Sequence, residues 1–119
     1  MAAAISNWAR DPYIIAGGDE AARRRLRDLL TQNPQNFTRP YNLAKPPPRP
    51  ALARLGEIAA PTLIIVGEAD IPDVHAHAGA IQAGIPKARR TVLSGVGHLP
   101  YLEKPEEFNA LALSFLTNQ

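Results

Sequence analysis

No cysteine occurs among the 119 residues, which excludes a disulfide framework and a thiolate metal site and fits a reducing compartment. Long apolar runs are missing too: none approaches the ~20 residues needed to span a bilayer. The N-terminus, Met1-Ala2-Ala3-Ala4-Ile5-Ser6-Asn7-Trp8, lacks the basic stretch that opens a signal peptide. These absences together predict a cytoplasmic protein with no membrane partner. Charge of one sign is scarce as well. Thirteen basic and eleven acidic side chains leave a formal +2, too small a surplus to drive binding to nucleic acid. Arg23, Arg24, Arg25 and Arg27 sit together, but neighbours on a helix point in different directions, so the cluster reads as a solvated helix face. Histidine appears three times, as His75, His77 and His98. The first two are two apart and cannot chelate one ion as an i, i+4 pair would, so neither metal nor cofactor is expected. The last absence is G-x-S-x-G, the sharp strand-to-helix turn that exposes a nucleophilic serine.

What is present falls into zones, within a length that suits one small domain. Residues 1–34 read as helical. Trp8 belongs to a short helix, and Asp19 or Gly18 starts the run Glu20–Gln32, where Ala22, Leu26, Leu29 and Leu30 fall at helical spacing. Residues 35–56 carry Pro40, Pro46, Pro47, Pro48 and Pro50, which hold a chain extended and remove backbone donors, as in a surface connector. From residue 57 the pattern becomes strand, helix, strand, helix. Leu63–Val66 is a wholly apolar run between Pro61 and Gly67, as a strand buried on both faces requires. Asp73 is placed to cap the next helix, with Val74, Ala78, Ile81 and Ile85 as its stripe. Arg90–Leu93 is a second strand. Pro105, with Glu106 and Glu107, opens a last helix whose stripe is Phe108, Leu111, Ala112, Phe115 and Leu116. Strand, crossover helix and strand imply parallel pairing, hence an α/β fold.

Reactive side chains in open parallel sheets gather beyond the carboxyl ends of the strands. Asp70 lies just past the first strand and His98 just past the second. Parallel neighbours are about 5 Å apart, so loops from both strand tops can meet. An acid there would hold one ring nitrogen of the histidine and leave the other to take a proton from a nucleophile. Each residue alone has a plainer reading: Asp70 as a loop acid or helix cap, His98 as a structural loop histidine. The pair, each just past a buried strand, is harder to explain that way. Gly95 and Gly97 would let the loop before His98 approach closely. His75 and His77 read as helix-surface residues. Ser94 precedes Gly95 without the sharp turn of a nucleophile, and Ser6 and Ser114 have no suitable context, so no nucleophile is assigned.

Three segments, Ala60-Pro61-Thr62-Leu63-Ile64-Ile65-Val66-Gly67-Glu68-Ala69-Asp70, Gly95-Val96-Gly97-His98-Leu99-Pro100 and Glu103-Lys104-Pro105-Glu106-Glu107-Phe108-Asn109, resemble in order and spacing the C-terminal part of α/β-hydrolase-fold proteins. The resemblance implies that the first is the penultimate core strand ending in the triad acid, Asp70. It makes the second the last strand with the triad histidine, His98, and the third the start of the final helix. It covers residues 55–117, so that 51–119 would be the C-terminal part of the core. Residues 1–50 more weakly resemble the end of a helical cap followed by a proline-rich connector. The family builds its nucleophile elbow and oxyanion hole from earlier strands and loops, and no such segment is found here.

The leading expectation is therefore a partial α/β-fold hydrolase, acting on an ester, lactone or carbon–carbon bond of a small molecule in the full-length protein and inactive alone. Other expectations are a non-catalytic remnant that pairs with a complementary chain, or with itself, through an open sheet edge. A non-hydrolytic relative is the third: a dehalogenase, haloperoxidase or cofactor-free oxygenase.

Overall fold

The computed structural model describes residues 1–37 and 45–118. Helix α1 runs Ala2–Arg10 and α2 runs Glu20–Gln32, the latter capped by Asp19, whose side chain accepts from the Ala22 N–H at 2.9 Å. The apolar stripe of α2 is narrower than its spacing suggested. Ala22 and Leu26 are buried and Leu30 packs beside them, but Leu29 is 46% exposed. Among the described residues the helix lies against α1, the turn at Pro34–Phe37 and one short later helix, and the i, i+4, i+8 seam is the one they bury.

The described residues of the proline-rich connector are less extended than expected. Pro34–Phe37 and Ala51–Glu57 form 3₁₀ turns; in the first, the fixed φ of Pro34 is already suitable. Pro46, Pro47, Pro48 and Pro50 stay exposed and outside helix, and Pro40 lies outside the described residues.

Strands β1, Thr62–Gly67, and β2, Ala88–Leu93, pair in parallel with Thr62 opposite Ala88 and Gly67 opposite Leu93. Helix α3, Pro72–Gly84, makes the crossover, and the α/β class follows from this arrangement. Burial on both faces is incomplete: Val66, Gly67 and Leu93 are buried, whereas Leu63, Ile64 and Ile65 are only half-buried. Two strands are all the sheet contains among the described residues, and a strand with one neighbour keeps an open edge. Asp73 does not cap α3. Ile71 occupies the cap position without a side-chain bond, and Asp73 sits inside the first turn. Pro72 takes the first helical position, where its missing N–H costs nothing, and this sets the start ahead of Asp73.

After β2 comes a single-turn helix that the sequence pattern did not disclose, α4, Pro100–Glu103; α5 then runs Pro105–Thr117 from the expected proline. On α5, Phe108, Leu111, Ala112 and Phe115 are half-buried, but Leu116 is 67% exposed and leaves the stripe. The buried cluster of Ala9, Ile15, Ala22 and Leu26 joins α1 to α2 and takes in Ile14, Leu30, Leu99 and Leu102. That cluster packs the N-terminal helices directly under the loop carrying His98.

Candidate functional site

Beyond Gly67 the chain turns at once: Asp70 N–H donates to the Gly67 carbonyl at 3.3 Å, and Ala69 N–H reaches the Val96 carbonyl of the neighbouring loop at 2.9 Å. The Asp70 side chain is thereby set between the two strand ends. It is buried, with 4% of the side chain exposed, and each oxygen has a partner. Oδ1 accepts from the Ile71 N–H at 2.8 Å, and Oδ2 lies 2.8 Å from His98 Nδ1. A carboxylate is acceptor-only, so with Asp70 ionised Nδ1 carries the proton and Nε2 presents its lone pair. The His98 side chain is 46% exposed, which leaves that second nitrogen open to an approaching group.

The histidine loop is fixed by contacts the sequence did not reveal. Glu68, the first residue after β1, accepts from Ser94 Oγ at 2.7 Å and from the Gly95 N–H at 2.8 Å. Those two bonds, the hydroxyl first, hold its carboxyl below the usual glutamate range. Glu103, at the end of α4, accepts from the Gly97 N–H through Oε2 and from the Ala16 N–H through Oε1, both at 2.7 Å. Burial raises its pKa, with the two N–H bonds acting in the opposite direction and too weakly to cancel it. The His98 N–H itself donates to the Tyr13 carbonyl at 2.8 Å.

The two loop glycines serve different needs. Gly95 sits at φ +70°, in the left-handed region. Gly97 makes a close approach: a Cβ there would lie 2.5 Å from the Tyr13 carbonyl oxygen. The other sequence candidates lie elsewhere. Ser94 Oγ is engaged by Glu68. His77 is exposed, while His75 is half-buried with Nε2 3.2 Å from the Glu68 carbonyl, so only His77 is a plain surface residue. The arginine cluster is not wholly solvated either. Arg23 is 11% exposed and donates to the carbonyls of Ala9, Ile15 and Gly17. Among the described residues no group of three His, Cys, Asp or Glu could hold a metal ion, and no helix is long and apolar enough to cross a membrane.

Of these missed residues, Glu68 was the most readable. An acid directly after one strand and a serine directly after its parallel neighbour stand at the same sheet end. Nothing in the spacing of Gly97 and Glu103 told that α4 would turn the carboxylate back onto the loop.

A profile of the alpha/beta hydrolase family matches residues 2–111. The chain belongs to that family. It is 37% identical over 92 residues to the 2-hydroxy-6-oxononadienedioate/2-hydroxy-6-oxononatrienedioate hydrolase of Cupriavidus pinatubonensis, a match covering 75% of this chain and 27% of the relative. It is 44% identical over 63 residues to the 2-hydroxy-6-oxo-6-phenylhexa-2,4-dienoate hydrolase of Comamonas testosteroni, covering 53% of this chain and 22% of that one. Among solved structures, MenH from S. aureus superposes with a TM-score of 0.76 at 27% identity, over 96% of this chain and 44% of MenH. This alpha/beta hydrolase chain thus spans about a quarter of these curated relatives and under half of MenH.

Proposed function

We propose that this chain is the C-terminal part of an alpha/beta-fold hydrolase in which Asp70 is the acid and His98 the general base of a catalytic triad. The observation that carries the reading is the 2.8 Å contact between Asp70 Oδ2 and His98 Nδ1, made between the ends of two paired parallel strands. In this role Asp70 fixes the ring and its tautomer, while Nε2 takes a proton from a nucleophile and returns it to the leaving group. The nucleophile and the oxyanion donors come from outside these 119 residues, and the chain alone does not turn over substrate. The half-buried Leu63, Ile64 and Ile65 support an added neighbour along β1.

The substrate is a small molecule cleaved at an ester, lactone or carbon–carbon bond. Two relatives named as hydrolases of 2-hydroxy-6-oxo acids support an oxo acid as the substrate class. The test replaces the matched segment of the Cupriavidus pinatubonensis hydrolase by this chain. Hydrolysis by the chimera, lost on His98→Ala, is the expected result; a chimera equally active with His98→Ala overturns the assignment. Turnover of a short p-nitrophenyl ester by the 119-residue chain itself, abolished by His98→Ala, would refute its inactivity alone.

A further inference from the structure

We propose that Glu103 is a positioning residue for His98: it sets the place of the imidazole through the Gly97 amide while tying the same loop to the 11–18 turn. The proposal rests on the reading of His98 as the general base.

The chemistry of the donor set explains why a glutamate stands here. Two backbone N–H groups, of Gly97 and Ala16, converge on the end of α4. A carboxylate offers each of them its own acceptor oxygen. A carboxamide has only one, and would turn its own NH₂ donor against the second N–H. Both bonds are short, as hydrogen bonds to an ionised acceptor are. Glu103 is half-buried, and a carboxylate removed from water is an expensive choice where packing alone is needed. The side chain therefore sits where accuracy matters more than stability.

What it fixes is the residue before His98. The Gly97 backbone is pressed from one side by the end of β1, since a Cβ on Gly67 would collide with the Gly97 carbonyl. The Tyr13 and Ile14 backbone presses from the other, leaving no room for a Cβ on Gly97. Within that slot the Gly97 N–H points at Glu103 and the His98 N–H at the Tyr13 carbonyl. With these two amides set, the ring meets Asp70 Oδ2. Glu68 anchors the other end of the loop at Ser94 and Gly95, but it is exposed, and water can replace it.

The test is NMR of the ¹⁵N-labelled 119-residue chain, reading solvent exchange of the His98 Nδ1 proton and of the Gly97 and Ala16 amides. In Glu103→Gln, one of the two amides and the Nδ1 proton are expected to exchange about tenfold faster, the effect of losing one charge-assisted bond. Glu106→Gln, which removes the same charge from an exposed site two residues into α5, leaves all three unchanged. A wild-type spectrum without the Nδ1 proton, or an Asp70→Asn spectrum that retains it unchanged, overturns the reading of the Asp70–His98 pair and the proposal with it. A proton present in wild type, lost in Asp70→Asn and unaltered in Glu103→Gln overturns the proposal alone. Should Glu103→Gln not fold, titration of the unmodified chain decides. The Gly97 and Ala16 amides are expected to share one acid midpoint as Glu103 takes up its proton, with the His98 Nδ1 proton exchanging faster through it; an Nδ1 proton whose exchange does not change through the Gly97 transition refutes the role.

Discussion

The backbone N–H of His98 donates to the carbonyl of Tyr13 at 2.8 Å, so the proposed base hangs on a turn of the N-terminal segment. That turn is itself tied. Tyr13 N–H donates to Asp11 Oδ1 at 2.8 Å, and the Arg23 guanidinium reaches the carbonyls of Ala9, Ile15 and Gly17 at 2.9 to 3.0 Å. A continuous set of bonds therefore links helix α2 to the site, through the turn at 11–18.

Replacing Arg23 should be felt at His98. Arg23→Ala leaves three carbonyls without their donor, two of them on the buried Ala9 and Ile15. At about 1.5 kcal/mol for each lost bond to a charged group, with little from the carbonyl of exposed Gly17, which water can reach, a loss of about 3 kcal/mol is expected. Arg24→Ala, on the exposed face of the same helix, should change stability by under about 0.5 kcal/mol. Urea unfolding of both variants checks the difference. Faster exchange of the His98 amide in Arg23→Ala alone checks the route.

Two glycines separate close approach from backbone conformation. In Gly67→Ala the new methyl meets the carbonyls of Val96 and Gly97, which are backbone and cannot swing aside as a side chain could. A loss of about 3 kcal/mol or more is expected. At Gly95 the space is open, and the obstacle is φ +70°. Gly95→Ala should cost about 1 kcal/mol, and Gly95→Asn less, since asparagine tolerates that region. Thermal unfolding of the three variants gives the ranking; equal losses for Gly67→Ala and Gly95→Ala would contradict it.

The fold was legible where one rule acted alone. The apolar run ending at Gly67, the proline opening α5 and the cap at Asp19 each set an element within a residue or two. The meeting of Asp70 and His98 was legible because parallel topology brings successive strand ends together. What stayed hidden depended on a partner distant in sequence. Leu29 and Leu116 have the right spacing, yet among the described residues no element covers them. Arg23 and Arg24 are adjacent in sequence, and only the path of the 11–18 turn makes one a plug and the other a surface residue. Glu103 lies in a one-turn helix too short to show a period.

The two loop carboxylates should respond to pH with opposite sign. Glu68 has a lowered pKa, chiefly from the Ser94 hydroxyl and then the Gly95 N–H. Its contribution is present above the ordinary glutamate value of 4.5 and is lost as pH falls through the lower folded value. Glu103 has a raised pKa, chiefly from burial. Its contribution is full below 4.5 and is lost as pH rises through the higher folded value. Urea unfolding as a function of pH, with Glu68→Gln and Glu103→Gln as references, tests both. The wild-type advantage over Glu68→Gln should shrink in acid, and that over Glu103→Gln should grow there. Parallel trends would show that burial does not dominate at Glu103.

Asp70→Asn should remove function while leaving the fold. The carboxamide oxygen can still accept from the Ile71 N–H, as Oδ1 does at 2.8 Å. Its NH₂ group then faces His98 Nδ1, where the carboxylate accepted. Two donors cannot meet, so the imidazole must carry its proton on Nε2, the nitrogen that has to receive one. The loss is one of tautomer and charge, with little change in position. In the chimera that supplies a nucleophile, kcat is expected to fall about 10⁴-fold with KM nearly unchanged. The ¹⁵N shifts of the ring should report the exchange of protonated nitrogen, and stability should fall by only about 1 kcal/mol. Glu68→Gln, which alters the same loop without touching the ring, keeps the proton on Nδ1. A tautomer that survives Asp70→Asn would mean that something other than Asp70 holds His98.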